Sequence, residues 1–235
     1  MSRTLAIGDI HGCLDSLLTL LDQVKPEEGD TVVMLGDYID RGPKSKGVIE
    51  LLLDWPFAAE LILLKGNHEM IMEEATLSSL HFDHWLNVGG VETLNSYLPE
   101  PVMFTKAHFD FIRDGLPYYE TETTIYVHGG VKPKEPLEEQ DVDDLAWRRM
   151  PDAKKHISGK LVICGHTIQN SGKPKDIGHT ICIDTGACRD GWLTCIEAET
   201  RHYWQANEKG KTREGILKRT QKKKKKKKKT AKKSS

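Results

Sequence analysis

Side chains able to hold a metal recur beside glycines along this chain. Asp9 and His11 sit in Gly8-Asp9-Ile10-His11-Gly12, and Asp37 follows Gly36. Asn67 follows Gly66, His128 precedes Gly129 and Gly130, and His166 follows Gly165. Asp9, His11, Asp37, Asn67, His128 and His166 make a donor set of two carboxylates, one amide and three imidazoles, with no cysteine. That mixture suits a reactive manganese, iron or zinc better than a structural zinc. Six donors are more than one ion takes while keeping positions open for water, so two divalent ions sharing a carboxylate account for the whole set. Asp37, from the middle of the three early segments, is the natural bridge. Two ions about 3.5–4 Å apart clamp a phosphate and acidify a bridging water, which becomes the nucleophile of an in-line displacement.

The segments that carry these donors follow short apolar runs. Residues 4–7, 31–35, 61–64, 124–127, 161–164 and 179–183 each run toward glycine and read as buried strands, with further strands at 192–196 and 201–204. In open α/β sheets, ligands bind beyond the carboxyl ends of the strands, where all six donors fall. Leu14, Leu17, Leu18, Leu21 and Val24 repeat at a helical period, and a second helix runs through Val48 and Leu53 with Pro43 at its start. The first third therefore reads βαβαβ, and the last third is mostly strands. Residues 70–120, rich in His, Trp, Phe and Met, read as helices at about 70–80, 83–87, 91–97 and 104–114. Such an insertion is placed to act as a small cap over the site. Trp85, Phe104, Phe109 and Phe111 read as cap core, and Cys13 as a small buried residue of the first helix.

Charge divides the chain. Residues 211–235 hold 14 Lys/Arg against one acid, a net of +13, whereas residues 1–210 hold 20 against 34, a net of -14. Eight consecutive lysines at 222–229 repel one another and bury nothing. Residues 1–205 are thus expected to form the catalytic domain and residues 206–235 a disordered poly-Lys tail. The tail could contact nucleic acid or another polyanion through counterion release, reach an anionic membrane surface, or serve as a nuclear address. Its plainest reading is a solvated low-complexity extension. No run approaches the roughly 18 apolar residues of a membrane span. No secretory leader follows Met1-Ser2-Arg3. Five cysteines at irregular spacing with no CxxC pair read as reduced thiols. The expected compartment is the cytoplasm, or the nucleus if the source is eukaryotic.

Taken together, Gly8-Asp-Ile-His-Gly12, Gly36-Asp-Tyr-Ile-Asp-Arg-Gly42, Gly66-Asn-His-Glu69, His128-Gly-Gly130 and Gly165-His-Thr167 resemble the motif series of the calcineurin-like metallophosphoesterases. The likeness, over about residues 3–204, is to the phosphoprotein-phosphatase branch, and within it to the small bacterial and phage serine/threonine phosphatases. Trp147-Arg-Arg149 and Ile183-Asp-Thr-Gly-Ala187 also look like that subgroup. The resemblance implies an α/β fold with a mixed β-sandwich flanked by helices. It also implies a dimetal-dependent phosphomonoester hydrolase in which a metal-bridging water or hydroxide attacks phosphorus directly. By the same resemblance Asp9, His11 and Asp37 hold the first ion, and Asp37, Asn67, His128 and His166 the second. His68 would protonate the leaving alkoxide with Asp40 as its carboxylate partner. Arg41 and Arg149 would clamp the substrate phosphate together with Asn67, Arg148 being the neighbouring alternative to Arg149. A phosphoprotein is the implied substrate because Asp40 is retained. Relatives that cleave diadenosine tetraphosphate typically carry Ala in that place, and hydrolysis of a dinucleoside polyphosphate is the second reading. A tail-driven nucleic-acid-binding protein and a metal-dependent nuclease rank below both.

Overall fold

The computed structural model describes residues 2–99 and 104–218. The three early apolar runs form parallel strands β1 (Thr4–Ile7), β2 (Thr31–Met34) and β3 (Glu60–Leu63), with Thr4 opposite Thr31 and Thr31 opposite Glu60. Helices α1 (Leu14–Val24) and α2 (Ser45–Leu53) are the crossovers between them. Pro43 does not open α2 as expected. The helix is capped at Lys44, whose N–H donates to Gly12 O at 3.0 Å, so the turn is tied to the first loop and the helix begins only afterwards. Cys13 likewise caps α1 instead of lying inside it.

From β3 the chain enters the helical insertion. It comprises α3 (Asn67–Ala75), α4 (Ser79–Trp85), a π-helical turn over Leu86–Gly90, α5 (Val91–Asn95) and α6 (Lys106–Arg113). The second half adds β4 (Tyr118–Glu120), β5 (Thr124–Val127), α7 (Val142–Trp147), β6 (Leu161–Cys164), β7 (Lys175–Asp176) and β8 (Thr180–Cys182). It closes with β9 (Leu193–Glu197), β10 (His202–Ala206) and β11 (Thr212–Ile216). One sheet has the order β11-β10-β9-β1-β2-β3 and the other β4-β5-β6-β8-β7, both mixed. Residues 212–216, which the sequence reading assigned to the tail, pair antiparallel with β10, so the folded domain runs past residue 205. The octalysine stretch lies outside the described residues.

Alternation along each strand explains the layering. Ala6, Val33, Tyr126, Ile163 and Ile181 face the space between the sheets. Leu5, Ile7, Val32 and Met34 point the other way, against Leu17, Leu20 and Val48 of α1 and α2. Ile125, Val127, Val162 and Cys164 pack outward against Leu137, Leu145 and Met150. Both faces of the central strands are buried, and this is why they read as unbroken apolar runs. All five cysteines are free, and four of them are buried. Among the described residues no helix is long and apolar enough to cross a membrane.

Arg201, just ahead of β10 in the first sheet, forms an ion pair with Asp176 on β7 of the second. Both side chains are at least nine-tenths buried, so the pair staples the two sheets at one edge. Removing one partner of such a pair strands a buried charge, at a cost of about 3–5 kcal/mol. Asp176→Ala should therefore lower the midpoint of thermal unfolding clearly. A melt that moves by less than about 1 kcal/mol in stability would show that the sheets do not rely on the staple.

Candidate metal centre and active site

Both sheets aim the carboxyl ends of their parallel strands at one place. Asp9 follows β1, Asp37 follows β2, Asn67 and His68 open α3 directly after β3, His128 follows β5 and His166 follows β6. Turning the chain so tightly costs conformational strain. His11, Asp37, Asp40, Arg41 and His166 all have left-handed backbones, with φ of 47, 53, 71, 69 and 59°. A non-glycine residue there gives up about 1–2 kcal/mol, so the surrounding contacts must over-determine these positions. Two glycines make room for the carboxylates. A Cβ on Gly66 would stand 2.2 Å from Asp37 Oδ1, and one on Gly165 would stand 2.1 Å from Asp9 Oδ1.

Asp37 is the centre of the constellation. Its Oδ2 lies 3.4 Å from His11 Nε2 and its Oδ1 lies 3.4 Å from His128 Nε2. Asn67 Oδ1 is 3.0 Å from His128 Nε2 and 2.8 Å from His166 Nδ1. Both Asp9 oxygens accept the backbone N–H of His166, at 3.1 and 3.0 Å. Two three-residue groups have ligand atoms within 4.8 Å of one another: His11, Asp37 and His68, and Asp37, His128 and His166. The structure thus brings His11, Asp37, Asn67, His128 and His166 together, with Asp9 joined to them through the His166 N–H and in neither of the two groups. His68 also stands near enough to join the first group.

The donor chemistry fits divalent cations. His11 Nδ1 lies 2.8 Å from Ile39 O, and His128 Nδ1 lies 2.9 Å from Leu35 O. A carbonyl oxygen only accepts, so each ring carries its hydrogen on Nδ1 and, when neutral, has an acceptor at Nε2 beside Asp37, that of His11 also taking Arg41 Nη1–H at 2.6 Å. Acceptors from several strands therefore face one another, an arrangement that a cation relieves. Ionisation reports the same strain. Burial lowers His11 to about 3 and His166 to about 4. Burial also works against His128, but the Asp37 carboxylate beside it prevails and raises it to about 10. Burial would raise Asp37 too, yet the imidazoles around it hold it well below the usual carboxylate range. Asp9 is pushed well above that range by burial and by Asp184, and Asp184 rises to about 6 chiefly through burial. His166 Nε2 is buried without a hydrogen-bond partner among the described residues.

Beside this centre lies a second unit. His68 Nδ1 meets Asp40 Oδ2 at 2.6 Å, with both side chains essentially inaccessible. Asp40 Oδ1 accepts Trp85 Nε1–H at 2.9 Å and Thr93 Oγ1–H at 2.7 Å, and Thr93 Oγ1 in turn accepts the Asp40 N–H at 2.8 Å. The N–H of Arg41 donates to Gly89 O at 3.1 Å. A side chain on Gly89, at φ 128°, would run into that same nitrogen. The inner edge of the insertion therefore holds both Asp40 and Arg41. Trp85 is buried as expected, but its indole N–H is aimed at the dyad. Arg149 lines the cleft over Asp37, Asn67 and His166 together with Arg41, Trp147 and Arg189. Arg148 is taken up by Asp144 at 3.1 Å and does not line that cleft.

Several residues of the site have no assigned part in the sequence reading. Glu69, raised by burial and by Asp37 to about 7, accepts the N–H groups of Asp37, Tyr38 and Gly66 at 2.8, 2.9 and 3.0 Å. It thereby fixes the loop that presents Asp37. Its position three residues after Gly66 is the signature of a reaching-back helix cap, which was a legible signal. Asp184 lay in the marked segment Ile183–Ala187 without a role assigned to it, and Thr93 and Arg189 carried no comparable mark.

The calcineurin-like phosphoesterase family model matches residues 2–182. The Serine/threonine-protein phosphatase 1 of Salmonella typhimurium is 40% identical over 199 residues, covering 80% of this chain and 88% of that protein. An asymmetrical bis(5'-nucleosyl)-tetraphosphatase of Halalkalibacterium halodurans is 25% identical, covering 81% of this chain and 87% of the relative. Among solved structures, a putative diadenosine tetraphosphatase superposes with a TM-score of 0.62 at 20% identity, covering 91% of this chain and 92% of its own; at that identity it speaks for the fold alone.

The protonation pattern leads to a measurable consequence. Near neutral pH the metal-free protein keeps a proton on the His128–Asp37 pair, because His128 is raised to about 10. A metal ligand must be deprotonated, so cation uptake should expel protons, and affinity should weaken as pH falls. Titration calorimetry with Mn²⁺ in buffers of different ionisation enthalpy should give different heats. Identical heats would mean that His128 is already neutral.

Proposed function

The chain belongs to the calcineurin-like phosphoesterases, metal-dependent hydrolases, and from that premise we propose that it is a serine/threonine protein phosphatase acting on phosphomonoesters of phosphoprotein substrates. The observation that carries the reading is the buried His68–Asp40 pair. A serine or threonine alkoxide is a poor leaving group and must gain a proton as it departs. Asp40 holds the ring of His68 by Nδ1 and so orients it, leaving Nε2 as the nitrogen that can deliver that proton. A nucleoside phosphate, by contrast, leaves as a stable anion and gains little from an acid.

The remaining side chains bind and orient. Arg41 and Arg149 would offer guanidinium forks to the non-bridging oxygens of the phosphoryl group, with the Asn67 amide of the same cleft as a further contact. Asp9, His11 and Asp37 would hold one divalent ion, and Asp37, Asn67, His128 and His166 a second, with manganese preferred over iron or zinc. When bound, the ions supply an acidified water and neutralise charge at phosphorus. The relative at 40% identity supports this substrate class by its name. The asymmetrical tetraphosphatase relative supports the second reading, hydrolysis of dinucleoside polyphosphates. A cytoplasmic location is part of the proposal, supported by the bacterial source of the relative at 40% identity.

The two readings separate in one assay. With Mn²⁺ present, a phosphothreonine peptide should turn over faster than diadenosine tetraphosphate. Asp40→Asn should lower peptide turnover by about 10²–10⁴-fold, the usual worth of a general acid, and should affect p-nitrophenyl phosphate, with its better leaving group, much less. Asp9→Asn should abolish both. Faster tetraphosphate turnover in the wild type would overturn the phosphatase assignment, and equal losses on both leaving groups would remove His68 from the acid role.

A further inference from the structure

The cleft over Asp37 and Asn67 encloses about 350 Å³, within the range of pockets that bury a small molecule and ample for more than one phosphoryl group. Three arginines line it: Arg41, Arg149 and Arg189. Arg189 ends the 3₁₀ turn Ala187–Arg189, which is flanked by left-handed Gly186 and Asp190. The N–H groups of Arg189 and Gly191 both donate to Gly186 O, at 2.9 and 3.0 Å, so the turn is fixed while the Arg189 side chain is exposed. Its neighbour Asp190 faces Lys209 at 3.2 Å. Among the described residues, none of the three arginines of the cleft has a carboxylate partner, in contrast to Arg148 on Asp144.

Three arginines with no carboxylate partner, of which Arg41 meets only the His11 ring, by Nη1 to Nε2 at 2.6 Å, exceed what a single phosphoryl group can satisfy. A phosphomonoester carries roughly two negative charges on three terminal oxygens. Two guanidinium forks already cover those oxygens. The third has no acceptor left unless the substrate brings another anion, and the planar fork fits phosphate best.

We infer that Arg189 binds a second phosphate of the substrate, close to the one being hydrolysed, and so selects substrates with two or more phosphates over singly phosphorylated ones. This inference rests on the phosphoester-hydrolase reading of the same cleft and is indifferent to which substrate carries the groups. The second phosphate can come from a polyphosphate chain between nucleosides or from a neighbouring phosphoresidue on a peptide.

Binding is measured first, on Mn²⁺-loaded protein with Mn²⁺ in excess, by calorimetry with methylenebisphosphonate and methylphosphonate. Neither probe is hydrolysed. The ratio of the two dissociation constants should shift by about tenfold or more against the bisphosphonate in Arg189→Gln, the worth of a charge-assisted contact, and Arg189→Lys should recover part of it. A ratio that does not move, whether both affinities fall together or neither changes, would overturn the inference. Turnover then identifies the source. A selective loss in kcat/KM for a doubly phosphorylated peptide, relative to its singly phosphorylated counterpart, points to phosphoproteins. A selective loss for diadenosine tetraphosphate, relative to p-nitrophenyl phosphate, points to nucleotides. If the wild type leaves phosphothreonine peptides untouched, the phosphatase proposal fails while the binding ratio still decides the part played by Arg189.

Discussion

A fully buried carboxylate with an imidazole nitrogen 3.4 Å from each of its two oxygens is the constraint on which the rest depends. Charge in such a place must be compensated, or the fold would protonate it away. Asp37 stays ionised chiefly because His128 arrives from the second sheet, while His11 comes to its other oxygen from the first loop. Bringing them there requires the two sheets to end together. It also requires glycines where strands β3 and β6 leave the sandwich, and a chain willing to turn left-handed at His11, Asp37 and His166. Glu69 completes the support by gathering the N–H groups of Asp37, Tyr38 and Gly66. Seen this way, the sandwich is a device for making two sets of strand ends coincide.

The helical insertion has a different relation to the chemistry. Asp40 and Arg41 are consecutive residues at φ 71 and 69°, a pair of turns that an ordinary loop would abandon. They are held from the insertion, by Trp85 and Thr93 on the carboxylate and by Gly89 on the Arg41 nitrogen. The dyad and the phosphate fork are thus assembled jointly by the β2–α2 loop and by an element about 50 residues later in the chain. Strain in the one is offset by hydrogen bonds from the other.

This division explains what was legible in the sequence. The donors of the metal site and the His68–Asp40 pair lie in short motifs beside glycines, because the geometry of a strand end is local and leaves a local mark. The main strands were legible for a related reason, since burial on both faces yields continuous apolar runs. How the strands divide into two sheets was not legible, because neither pairing nor order is encoded by a strand's own pattern. The short strands β4, β7 and β11 escaped too. In β11, Thr-Arg-Glu-Gly-Ile keeps the polar, partly exposed character of a sheet edge, which resembles a linker more than a strand. Trp85 and Thr93 gave no sign of their task because their partner is 45 and 53 residues away. Arg189 was equally silent, because the marked segment Ile183–Ala187 stops two residues before it and says nothing of which way its side chain reaches.

The bonds from Trp85, Gly89 and Thr93 also bear on how this scaffold could diversify. Insertions between sheet halves are where a lineage, or an engineer, would exchange segments to change what an enzyme accepts. Here the insertion is not a free module. Its outer surface, where Leu77 and Leu80 stand open to solvent, can be rewritten without touching the chemistry. Its inner edge is shared property with the acid and the phosphate fork. A chimera that replaced residues 76–84 would inherit a working centre, whereas one that exchanged residues 85–93 would have to reinvent the support for Asp40 and Arg41.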